Sequence, residues 1–146
     1  SGQDSIGILG LTYKPNTDVV EEAFGLLLAR ELSSANLPIV VYDPSADATS
    51  VLGQSSTLRF LRSARECIED SGVVVLATPW QEFLEVPTEH WAHNGQTRAV
   101  PRVVIDCWHA LDHLNGVDGV RYVRLGFGGA AERHGSHVER TVESKC

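Results

Sequence analysis

The 146-residue sequence is short of three things: long apolar runs, cysteine and positive charge. Each deficit removes a class of function. No uninterrupted apolar stretch approaches the ~20 residues a bilayer-spanning helix needs, and the first residues lack the basic segment and apolar core of a secretion signal. A chain outside membranes is expected, in the cytoplasm. Cys67, Cys107 and Cys146 are odd in number and widely spaced, which does not suit the disulfide framework of a small secreted domain. A reducing compartment fits that usage. Twelve Lys and Arg against 19 Asp and Glu leave a formal charge of -7, too negative for a broad phosphate footprint, so no nucleic-acid partner is expected. A local basic pocket for one phosphorylated small ligand stays open. What is present is ordinary for a globular domain: 42% apolar and 21% charged residues, enough to bury roughly two-thirds of the unfolded surface. A single domain over 1–146 is expected, with an ordered core over 5–128 and a loose tail over 129–146.

Strand and helix signals alternate along the chain. Ser5 to Leu11 is short, apolar and punctuated by Gly7 and Gly10, which predicts a buried strand ending in a tight turn. Val20, Phe24, Leu27, Leu28 and Leu32 recur at helical spacing, with Thr17 or Asp18 available as N-cap and an end near Ser33-Ser34. Leu37 to Tyr42 reads as a second strand, stopped by Asp43-Pro44. A helix near Ser63 to Glu69 and the β-branched run Gly72 to Ala77 follow, then Thr78-Pro79 and a short helix. A polar stretch over 88–97 precedes strands at Pro101 to Asp106 and, as an edge, Val120 to Leu125. The alternation predicts an α/β fold, a Rossmann-like three-layer sandwich on a mainly parallel sheet.

Such sheets bind ligands beyond the carboxyl ends of their strands, where the strand order reverses. Those ends are the loops Gly10 to Asp18, Asp43-Pro44, Thr78 to Trp80 and Asp106 to His109. In the first, Gly7 and Gly10 let backbone approach a ligand, the next helix offers free N–H groups to an anion, and Lys14 adds a point charge. The glycines alone give G-x-x-G, short of the full dinucleotide fingerprint, which suits a plain tight turn more readily than a nucleotide-binding one. Asp43 stands where a dinucleotide fold places the carboxylate for ribose hydroxyls, and it also suits an Asp-Pro turn.

Three blocks carry more information together. Gly7-Ile8-Leu9-Gly10-Leu11-Thr12-Tyr13-Lys14-Pro15-Asn16-Thr17-Asp18, then Val41-Tyr42-Asp43-Pro44, then Leu76-Ala77-Thr78-Pro79-Trp80-Gln81-Glu82-Phe83 closely resemble, in order and spacing, the C-terminal domain of UDP-glucose/GDP-mannose dehydrogenases. The resemblance implies the nucleotide-sugar-binding part of an enzyme that oxidises a sugar's C6 alcohol to a carboxylate. It implies a UDP- or GDP-sugar as ligand, NAD held by a separate N-terminal domain that partners this one, and a dimer or larger homo-oligomer. The matching site residues are Gly10, Thr12, Tyr13, Lys14, Asp43, Thr78 and Trp80, with the Tyr13 ring packing near the nucleotide-sugar and the Lys14 ammonium meeting its polar groups. The family's catalytic cysteine, its Lys and Asp partners and its glycine fingerprint for NAD belong to regions outside these residues. No catalytic residue and no metal ligand is therefore assigned here, and the chain alone is expected not to turn over.

The sequence departs from the family pattern twice. Glu21 stands where members commonly carry an arginine, and Asp106-Cys107-Trp108 replaces a common Asp-Gly-Arg, so a bidentate anion clamp is absent. That loss favours an alternative: a divergent oligomerisation or interaction module without the nucleotide. The retained first loop favours the binding domain. His109 and His113, four apart beside Asp106, Cys107 and Asp112, would share a helix face and could hold zinc, although surface histidines explain the spacing more simply. Trp80, Trp91 and Trp108 suit either base stacking or core and interface packing.

Overall fold

The computed structural model describes residues 5–12, 15–16, 23–45, 52–53, 56–92 and 100–125. Its strands are β1 (Ser5–Leu9), β2 (Ile39–Tyr42), β3 (Leu58–Phe60), β4 (Ser71–Leu76), β5 (Arg102–Asp106) and β6 (Val120–Arg124). Between them lie α1 (Phe24–Ser34), α2 (Ala64–Glu69), α3 (Gln81–Leu84), α4 (Thr88–Trp91) and a 3-10 turn at Asp112–Leu114. All six strands form one sheet in the order β3-β2-β1-β4-β5-β6, and each neighbouring pair is parallel. The expected Rossmann-like architecture is present.

Alternation along the strands builds two apolar layers. Ile8, Ile39, Val41 and Leu58 face α1 with Ala29, while Leu9, Val40, Val74, Leu76 and Val104 face α2, α3 and α4 with Cys67, Ile68, Phe83 and Trp91. Parallel strands covered on both faces carry nearly continuous apolar sequence, which is why β1, β2, β4 and β5 are visible as runs. Three elements fall outside the sequence-based expectation, one of them the 3-10 turn at Asp112–Leu114. β3 is three residues long with Arg59 and Phe60 exposed, and α4 is a single turn inside the stretch read as polar.

Helix α1 begins later than its periodicity suggests, with Ala23 as an N-cap that offers no side-chain hydrogen bond. A Cβ on Gly25 would lie 2.0 Å from the Gly10 carbonyl oxygen, so only glycine lets the first turn rest on the end of β1. Helix α2 starts as its sequence predicts, with the Ser63 hydroxyl accepting from Glu66 N–H at 3.1 Å and the Glu66 carboxylate accepting from Arg62 N–H at 3.1 Å.

The end of the sheet opposite the strand-end loops is fixed by Arg102, which is 2% exposed. Its Nε donates to Ser71 O at 2.9 Å, Nη1 donates to the carbonyls of Trp91 and His90, and Nη2 donates to Glu69 O at 3.4 Å. One guanidinium thus ties the end of α2, the start of β4 and the end of α4 to β5. No helix among the described residues is long and apolar enough to cross a membrane.

Candidate functional site

Register places the last residues of the strands in one row: Leu9 pairs with Tyr42 and Leu76, Leu76 with Asp106, and Asp106 with Arg124. The chain leaves β1 toward β2 on one side and, after β3, returns to β4 on the other, so the order reverses between β1 and β4. That gap is where a doubly wound sheet opens a crevice.

The loop after β1 is held there from both sides. Gly10 N–H donates to Tyr42 O at 2.9 Å, while Ala77 N–H and Thr78 N–H donate to Leu9 O at 2.9 and 3.2 Å. Leu11 N–H and Thr12 N–H donate to Asp43 Oδ2 at 2.6 and 3.2 Å, and Ser45 N–H donates to Asp43 Oδ1 at 2.7 Å. From the β4 side, the Thr78 hydroxyl donates to Thr12 O at 2.7 Å, and the Trp80 indole N–H donates to the Thr12 hydroxyl at 3.2 Å. Thr12, Asp43 and Thr78 are all buried. Burial raises the Asp43 carboxyl above its ordinary value, opposed by the backbone N–H groups of Leu11, Ser45 and Thr12.

Gly10 owes its identity to this packing. Its φ is +102°, and a Cβ there would lie 2.5 Å from the Thr78 Cβ. Five of the residues named from sequence, Gly10, Thr12, Asp43, Thr78 and Trp80, are thus brought into one hydrogen-bonded unit. Tyr13, Lys14 and Glu21 lie outside the described residues, as do Thr17 and Asp18, the candidate caps. Pro15 and Asn16 form a turn in which Asn16 takes φ 64°, a conformation asparagine tolerates better than most residues.

The loop after β5 completes the rim, and its organisation is not visible from sequence. The Asp106 carboxylate is fully buried and accepts from Trp108, Ala110 and Leu111 N–H at 3.0, 3.2 and 2.7 Å and from the Tyr122 hydroxyl at 2.6 Å. Burial and the two carboxylates at its oxygen, Asp106 and Asp112, push the Tyr122 phenol well up. Burial also raises the Tyr42 phenol, helped by its 2.8 Å hydrogen bond to Glu82. The only signal in the sequence was an aspartate closing an apolar strand.

The remaining candidates separate. His109 sits in a turn at φ 56°, with Nε2 3.0 Å from Leu125 O, and His113 lies in the 3-10 turn, so the two do not share a helix face. Among the described residues no group of three His, Cys, Asp or Glu has a metal-binding arrangement. Trp91 is fully buried, with its indole N–H on Val86 O at 3.2 Å, and is a core residue. Cys67 and Cys107 are buried thiols, and desolvation pushes Cys67 far up, away from thiolate chemistry. Asp43 accepts backbone N–H groups on both carboxylate oxygens and so ties the loops after β1 and β2 together.

Comparison with known proteins agrees with this geometry. Residues 7–113 match the model of the UDP-glucose/GDP-mannose dehydrogenase family, UDP binding domain. The UDP-glucose 6-dehydrogenase of Rickettsia conorii is 30% identical over 125 residues, covering 84% of this chain and 28% of that protein. The UDP-glucose 6-dehydrogenase AglM of Haloferax volcanii is 27% identical over 113 residues, covering 77% and 25%. A UDP-glucose dehydrogenase structure from Pyrobaculum islandicum superposes with a TM-score of 0.62 at 26% identity, over 83% of this chain and 25% of that one. The chain therefore spans about a quarter of the length of the relatives it matches.

Proposed function

This chain belongs to the UDP-glucose/GDP-mannose dehydrogenase family, matching its UDP-binding domain, and we propose that it binds a UDP-sugar in the crevice beyond β1 and β4. The observation that carries the reading is the buried Thr12–Thr78 hydrogen bond, which fixes the first loop at the reversal of strand order. Asp43, Thr78 and Gly10 act as the frame, holding the loop rather than the ligand. Thr12 and Trp80 then form the wall, and Lys14 supplies the charge for a phosphate or sugar oxygen. The start of α1, resting on Gly10, brings the positive end of a helix dipole to the same rim.

The proposal extends to a parent enzyme, cytoplasmic and homo-oligomeric, that oxidises the sugar's C6 alcohol to a carboxylate. A separate domain holds NAD and the catalytic thiol, and the present residues contribute binding and orientation.

Calorimetric titration of UDP at moderate salt tests this. One saturable site per chain is expected, and Lys14→Ala should weaken it about tenfold, since a charge-assisted hydrogen bond is worth about 1.5–3 kcal/mol. Lys14→Arg should restore only part, because a planar fork replaces a compact ammonium. Equal affinities, or no binding by the parent chain, would favour an interaction module that has lost the nucleotide.

A further inference from the structure

Trp108 is 45% exposed, yet its ring is fixed in place. The indole Nε1–H donates to Ala77 O at 2.8 Å, and the backbone N–H donates to Asp106 Oδ1 at 3.0 Å. The turn that carries it is built around a fully buried carboxylate with four donors, and His109 next to it accepts a left-handed conformation at φ 56°. Burying a carboxylate is costly unless its hydrogen bonds are complete, so this turn is preorganised rather than incidental. Its product is an aromatic face held open to solvent. Ala77 immediately precedes Thr78, so the indole is anchored at the same strand end that locks Thr12.

We propose that Trp108 is the stacking wall of the crevice and that the uracil ring of bound UDP lies on its indole face. The inference rests on the nucleotide reading above. The chemistry selects the base over the other parts of the ligand: the electron-rich face of an indole repels a diphosphate and attracts a neutral planar ring. With a formal charge of -7 the chain offers phosphates little general attraction, so stacking of the uncharged base adds affinity beside the local Lys14 contact. Trp80, with its N–H on the Thr12 hydroxyl, walls the first loop on the neighbouring side.

Tryptophan fluorescence and calorimetry on the 146-residue chain test the assignment with UDP and with uridine as probes. UDP carries no hexose, so an effect seen with it belongs to the nucleotide. Both probes should quench emission of the parent chain. Trp108→Phe should lose most of that quenching while keeping affinity within a few-fold, because a phenyl ring still stacks. Trp108→Ala should weaken UDP and uridine by the same factor, roughly tenfold, within the range that base stacking on an aromatic ring supplies. Amide spectra of Trp108→Ala that overlay the parent's outside the 106–111 turn would show that the fold is kept. Unchanged UDP affinity in Trp108→Ala, with quenching intact in Trp108→Phe, would overturn the assignment and leave the nucleotide reading standing. Failure of the parent chain to bind either probe would overturn both.

Discussion

The Thr78 hydroxyl donates to the Thr12 carbonyl oxygen at 2.7 Å, joining residues 66 positions apart at the point where the strand order reverses. Both residues are buried, so neither group has water as a substitute. Thr78→Val keeps the shape and removes this donor to a buried carbonyl, at a cost of about 1–3 kcal/mol. Urea unfolding should show a lower midpoint at unchanged slope, and amides of Leu11 and Thr12 should exchange faster. An unchanged midpoint would mean that the loop is held without this bond.

Glycine is needed at two contacting positions for different reasons. Gly10→Ala meets Thr78 atoms in a conformation an L-residue resists, and Gly25→Ala drives a methyl into the Gly10 carbonyl. Each should destabilise by more than about 1–3 kcal/mol, the scale of a strained backbone residue, with Gly25→Ala worse because its obstacle is backbone. Chemical denaturation of both variants checks the order.

Much of this frame is legible in the sequence, because buried parallel strands leave apolar runs and because ligands bind at strand ends. Ser5 to Leu11, Gly72 to Ala77 and Pro101 to Asp106 show this, and the loops after them are the ones the fold brings together. What escapes is whatever depends on partners distant in sequence. Leu58–Phe60 is too short and too exposed to carry a period, although pairing with β2 makes it a strand. Arg102 carries a charge that composition rules assign to the surface, and only the fold gathers four carbonyls around it. Asp106 is likewise an ordinary strand-ending aspartate until four donors converge on it, and Trp108 gains its fixed orientation from that convergence. At Gly7 and Gly10 the fold adds a requirement the spacing does not reveal, close packing against Ser71 and Thr78.

Arg102 supplies a control that separates folding from binding. A lysine cannot reach the carbonyls of Ser71, Glu69, His90 and Trp91 together, so Arg102→Lys should cost on the order of 3 kcal/mol. The lesion lies at the far end of the sheet, and UDP affinity of the folded fraction should not change. A lowered affinity at full folding would show coupling between the two ends.

Asp43 predicts a pH dependence of definite sign. Its carboxyl is raised from the ordinary 3.8 mainly by burial, so the folded chain holds that proton to higher pH than the unfolded chain. The folded state then binds more protons between the two values, and stability from this group is full below 3.8 and falls as pH rises through the raised value. Asp43→Asn has no such titration. The stability gap between parent and variant, measured by urea unfolding from mildly acidic to neutral pH, should therefore shrink as pH rises. A gap that widens would mean that the three backbone donors outweigh burial.

The central claim is that a uridine nucleotide sits at the reversal between β1 and β4, and amide chemical-shift mapping during a UDP titration tests it most directly. The account predicts saturable shifts concentrated at Gly10 to Thr12, at Thr78 to Trp80 and at the 106–111 turn, with the Arg102 end of the sheet unmoved. Shifts confined to residues 126–146, or none at saturating UDP, would contradict it.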